Sequence, residues 1–172
     1  IDFVEIMQYN AINTRDWYAF LNLGFQLPSS AGSDWPYMGL PGSVRTMVKI
    51  DGIFTPTKWN EALKKGKSFV TNGPMLDFTI NGKGIGEVIN IERGKSIDLN
   101  AKSEILTSWD KLTHLYLIRN GEVIDSVINT KGKNELTLKK SFTISQSGWY
   151  AVQSWGNKID TINFQNNFVQ RI

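Results

Sequence analysis

The sequence has no cysteine, a single histidine and only five prolines in 172 residues. The first absence excludes disulfides and thiolate metal sites, but it does not fix a redox compartment. Many secreted bacterial proteins also lack cysteine, and a periplasmic or secreted location is favoured over a cytoplasmic one. With one histidine, His114, no histidine-rich metal cluster can form within the chain. No run of about 18 apolar residues occurs, so no membrane-spanning helix is expected. Nor is there an excess of one charge: 19 Lys and Arg face 16 Asp and Glu. The basic residues are scattered, the longest cluster being Lys64-Lys65-Gly66-Lys67. That pattern reads as a solvated surface and not as a nucleic-acid interface.

What is present suits a folded chain. Hydrophobic residues make up 41% and aromatics 12%, enough for a substantial core and too much for wholesale disorder. The length fits one ordinary domain or two small ones. Ile1 reads as the opening of a strand already in progress, which suggests a piece of a longer protein.

Residues 1–76 alternate strand and helix signals. Phe3-Val4-Glu5-Ile6-Met7 is a short apolar run fit for a buried strand. Trp17, Phe20 and Leu21 then recur at helical spacing after Thr14, with Gly24 as a stop. Leu27 to Gly32 and Val44 to Ile50 are the next buried segments. Thr55-Pro56 opens a second helix, since Thr caps and Pro suits the first helical position; Trp59, Ala62 and Leu63 form its apolar face and Gly66 ends it. Ser68-Phe69-Val70-Thr71 is a strand closed by the turn residues Asn72-Gly73-Pro74. This order predicts an α/β layer or barrel.

From Asp77 onward helical periodicity stops. Short strands alternate with Asn81-Gly82, Arg93-Gly94, Asn120-Gly121, Lys131-Gly132 and Ser147-Gly148. Leu115 to Arg119, then Asn120-Gly121, then Glu122 to Ile124 predicts a β-hairpin, because Asn-Gly favours the turn that matches strand twist. Leu136 with Leu138, and Phe142 with Ile144, alternate as half-buried strands do. Six or seven such strands predict an immunoglobulin-like antiparallel β-sandwich over residues 77–172, making the whole chain α+β.

Several of these segments resemble a known family. GLPGSVRT (39–46), KKGKSFVTNGPMLDFTINGKGIGE (64–87), and the order Val4-Glu5-Ile6, Asn10, helix, Ala31-Gly32-Ser33-Asp34 are similar to the C-terminal part of PHP-type (polymerase and histidinol phosphatase) metallohydrolases, in the carbaryl-hydrolase-like subgroup. The resemblance covers roughly Phe3 to Glu87, and SGWYAVQSWG (147–156) looks like a late sandwich strand of that subgroup. It implies that residues 1–76 are the last βα units of a distorted (β/α)7 barrel. It also implies a cluster of two or three divalent ions (Zn, Mn or Fe) in the intact protein, held mostly by early-strand histidines and by a late aspartate. Such ions activate water to hydrolyse a phosphoester, carbamate or carboxylic ester. Asp34 matches the late aspartate, as a hard oxygen ligand. The wider family often continues Asp-X-His, whereas here Trp35-Pro36 follows.

The early histidines have no counterpart in this sequence, so no metal and no activity are expected in this chain alone. The implied partners are the N-terminal remainder of the barrel and a small ester substrate, with no nucleic acid and no membrane. Asn10 and Arg45 are candidate substrate contacts at the Asp34 site, Arg45 as an oxyanion or phosphate clamp, with salt bridging as its structural alternative. Without the resemblance, Asp34 reads as a turn or cap residue. Trp35-Pro36 predicts an extended exit after it, since the residue before proline avoids helix. His114 reads as a surface or rim residue. Trp149, Tyr150 and Trp155 raise a second reading, a non-catalytic sandwich that binds carbohydrate or a partner protein. Alternation places Trp149, Ala151 and Gln153 on one strand face and Tyr150 and Val152 on the other.

Overall fold

The computed structural model describes residues 2–8, 11–37, 39–106, 108, 110–157 and 168–171. Its front layer begins with β1 (Val4–Gln8), a short β2 (Ala11–Ile12), helix α1 (Arg15–Asn22) and β3 (Ser29–Gly32). β1 pairs in parallel with β3 and antiparallel with β2. Parallel partners need a crossover, and α1 supplies it. The helix turns Trp17 inward at 1% exposure, against Ile6, Met7, Val44 and Val70. The indole Nε1 donates to the Leu27 carbonyl at 2.8 Å, which satisfies its polar edge and ties the helix to the start of β3.

β4 (Arg45–Val48), α2 (Pro56–Lys64) and β5 (Ser68–Thr71) follow. The Thr55 hydroxyl accepts from the Lys58 amide at 3.2 Å, the expected cap, with Pro56 at the first helical position. The Thr46 hydroxyl laces β4 to β3, accepting from the Ala31 amide at 2.8 Å and donating to its carbonyl at 3.3 Å. At the end of β5 the fully buried Thr71 hydroxyl accepts from the Gly73 amide and donates to the Pro74 carbonyl. Asn72-Gly73-Pro74 is thus turn chemistry organised by the preceding threonine.

The remaining strands are β6 (Met75–Ile80), β7 (Ser96–Glu104), β8 (Leu112–Arg119), β9 (Glu122–Ile128), β10 (Glu135–Thr143), β11 (Tyr150–Gly156) and β12 (Phe168–Arg171). β8 and β9 form the expected hairpin, with Asn120 at φ +52° and Gly121 at φ +94°. One sheet runs β10-β7-β6 and the other β4-β5-β12-β11-β8-β9, with antiparallel pairing throughout. They enclose the larger core: Phe78, Leu99, Ala101, Leu136 and Leu138 meet Leu115, Leu117, Val152 and Phe69. Within it Ser103 and Ser154, both at 0% exposure, satisfy each other across the two sheets at 2.6 Å.

Both described helices precede residue 76, yet β12 joins β5 to β11 and so carries one sheet across that position. This sheet is packed on both faces. From β5, Phe69 enters the larger core and Val70 the smaller; from β11, Val152 and Trp155 do the same. The layers are also fastened at Trp149. Its ring lies 4.9 Å from that of Tyr18, and its Nε1 donates to Asn22 Oδ1 at 2.8 Å. Asn22 in turn donates to the Asn120 carbonyl, while the Asn120 side chain accepts from the Trp149 amide. Burial in this joint pushes the Tyr18 phenol well above its ordinary pKa, opposed by a hydrogen bond with Thr14.

A second fastening uses two glycines. Gly66, at φ +70°, ends α2, and Gly86, at φ +75°, lies directly on it. A Cβ at Gly86 would overlap the Lys65 carbonyl oxygen and sit 2.6 Å from the Gly66 carbonyl carbon. The Gly-rich stretch after Asn81 is therefore a backbone-to-backbone contact between the front layer and the sheets.

Candidate functional site

In open α/β arrangements functional groups gather beyond the carboxyl ends of parallel strands. Here those ends are Gln8 of β1 and Gly32 of β3. Two residues past Gly32 stands Asp34, half-buried, with φ +54°. Aspartate is among the few residues that occupy this left-handed region. The Tyr37 amide donates to the Asp34 carbonyl at 2.9 Å, closing a tight turn through Trp35-Pro36. The expected extended exit is therefore a turn instead: Trp35-Pro36, joined by a cis peptide bond, forms its central pair, and the Tyr37 amide closes it onto the Asp34 carbonyl. No hydrogen bond or ion pair joins the Asp34 carboxylate to another described residue.

Glu5 of β1 reaches the same end of the layer. A Cβ at Gly32 would lie 3.1 Å from Glu5 Oε2, so glycine there leaves room for the carboxylate. Sequence reasoning did not select Glu5, because Phe3 to Met7 read as an apolar strand. The available signal was the acid itself, one charge in the middle of that run.

Arg45 is not brought to Asp34. Alternation along β4 sends Thr46 to Ala31 and turns Arg45 and Met47 to the other face. Arg45 there lines a cavity of about 450 Å³ with Met47, Met75, Ile105, Glu104 and Glu135. Both glutamates also hold Lys102 at 2.9 Å, and their hydrogen bonds, that of Glu104 foremost, push its pKa up to about 12. Asn10 lies outside the described residues. His114, in β8, stacks on Tyr116 at 5.3 Å and is half-buried.

Asp34 and Glu5 offer hard oxygen donors that suit Zn, Mn or Fe. Among the described residues no three His, Cys, Asp or Glu side chains converge to complete a metal's coordination. These residues fit part of such a site and not the whole. Among the described residues no helix is long and apolar enough to cross a membrane. Compared with known protein families, curated proteins and solved structures, the chain gives no match.

Proposed function

We propose that this chain is the C-terminal portion of a metal-dependent hydrolase whose remaining ligands come from a preceding part of the same protein. The observation that carries the reading is Asp34, set just beyond a parallel strand of a β-α-β unit, its carboxylate without a described partner. Divalent Zn, Mn or Fe bound there would supply an activated water for a phosphoester, carbamate or carboxylic ester. This chain's own part is to hold one ligand carboxylate in a fixed turn, with Glu5 beside it and Asn10 as a substrate contact. The front layer is then the last βα units of a PHP-type barrel. The strand orders β10-β7-β6 and β4-β5-β12-β11-β8-β9 support a two-sheet sandwich of immunoglobulin-like kind, one sheet of which β4 and β5 extend from the front segment.

The alternative, a carbohydrate- or protein-binding module, has less support. Trp149 is engaged by Tyr18 and Asn22, so its ring is not an open platform.

The chain by itself is expected to be inactive. Incubated with Zn or Mn, it should hydrolyse p-nitrophenyl phosphate and a carbamate ester no faster than a metal-only blank, while the longer protein turns over at least one of them. Metal-dependent turnover by the chain alone would overturn the division of ligands proposed here.

A further inference from the structure

At the opposite end of β3 from Asp34 a long groove runs between the end of α1, the end of α2 and the segment from Ile80 to Arg93. It encloses about 1670 Å³. That exceeds the ~300–1,000 Å³ of a pocket shaped around a compact ligand. Its floor is apolar, with Phe78, Ile85 and Ile97 almost wholly buried. Its flanks leave apolar surface in water, Phe25 at 54% exposure and Val88 at 69%.

The charges on the rim are not balanced. Lys83 is paired with Glu87 at 3.6 Å, which leaves Lys64, Lys65 and Arg93 against Glu92. Tyr150 also lines the groove at 9% exposure, its hydroxyl interacting with the Arg119 guanidinium, which lies 5.7 Å from its ring centre.

We propose that this groove binds a free long-chain acyl carboxylate, the hydrocarbon lying along the apolar floor and the carboxylate facing Lys65 and Arg93. An apolar trough with a cationic rim favours an anionic amphiphile over a neutral or cationic one of equal length. Burial of each added methylene should tighten binding about fourfold, until the groove is filled. The site is separate from Asp34 and does not depend on the metal reading.

The test uses the 172-residue chain and cis-parinarate. Trp149 lines the groove, so a bound polyene should quench it by energy transfer. Saturable 1:1 quenching is expected, reversed by tetradecanoate more strongly than by decanoate, and at least tenfold more strongly than by 1-tetradecanol. The double variant Lys65→Glu with Arg93→Glu should weaken tetradecanoate at least tenfold and leave the alcohol unchanged. Phe25→Asp, on an exposed flank, should weaken both, with an unaltered circular dichroism spectrum in each variant. Absence of saturable binding, equal displacement by the alcohol, indifference to these substitutions, or binding to phosphatidylglycerol vesicles without binding of the monomeric acid would overturn the proposal.

Discussion

Replacing Trp17 by alanine is expected to destabilise the chain by about 3–5 kcal/mol, the range for emptying a buried aromatic site. Trp17 is 1% exposed and is the only aromatic in the smaller core among the described buried residues. It touches that core from α1, while its Nε1 holds the Leu27 carbonyl at the start of β3. Truncation would therefore leave a cavity between helix and strands and an unpaired carbonyl together. Trp17→Phe keeps most of the volume and removes the hydrogen bond, so it should cost about 1–2 kcal/mol. A whole domain has about 5–15 kcal/mol of stability, so the alanine variant should show a large drop in urea midpoint. A loss below about 1 kcal/mol would mean that the front layer does not unfold cooperatively with the rest.

Gly86→Ala should cost about 3 kcal/mol, from two sources that can be separated. Forcing an L side chain into the left-handed region costs about 1–2 kcal/mol. Overpacking a close contact adds about 1–3 kcal/mol. At Gly86 both apply, since the new Cβ would overlap the Lys65 carbonyl oxygen. Gly82 has nearly the same conformation, φ +76° against +75°, but nothing within 4 Å of its Cβ position. Gly82→Ala should therefore show the backbone cost alone, about 1–2 kcal/mol. The difference between the two urea midpoints measures the contact between the Gly-rich segment and the end of α2. Equal losses at the two positions would show that this contact is loose.

Local features of this fold are legible in the sequence because their causes are local. Thr55-Pro56 starts α2 by a cap and a fixed φ, and Asn120-Gly121 turns the β8–β9 hairpin because both residues accept positive φ. Leu136 and Leu138 face the core by simple alternation. What joins distant segments is not legible. Nothing near Phe168 to Arg171 says that this strand inserts between β5 and β11, since pairing depends on partners far along the chain. The role of Trp149 is hidden for the same reason: its partners Tyr18 and Asn22 belong to a helix more than a hundred residues earlier.

The candidate site divides in the same way. Strand, small residues and Asp34 are visible as a local pattern, and the structure puts Asp34 beyond a parallel strand end. The tight turn after it is not visible, because Trp35-Pro36 by itself suggests an extended path. Arg45 is only thirteen positions after Gly32, yet strand alternation alone turns it to a different cavity. Glu5 went unselected because a lone acid in an apolar run carries no sign of where its carboxylate will reach.

The proposed ligand role of Asp34 is tested most directly by Asp34→Asn in the longer protein of which this chain is proposed to be the C-terminal portion. Asparagine occupies the left-handed region as readily as aspartate, so the turn at φ +54° should survive while the charge is lost. In the isolated chain the change should shift stability by no more than about 0.5 kcal/mol, as for an ordinary surface substitution. In the longer protein, divalent metal per polypeptide, measured by elemental analysis after gel filtration, should fall together with ester hydrolysis. A variant that kept its full metal content and its full rate would contradict the assignment and leave Asp34 as a turn residue.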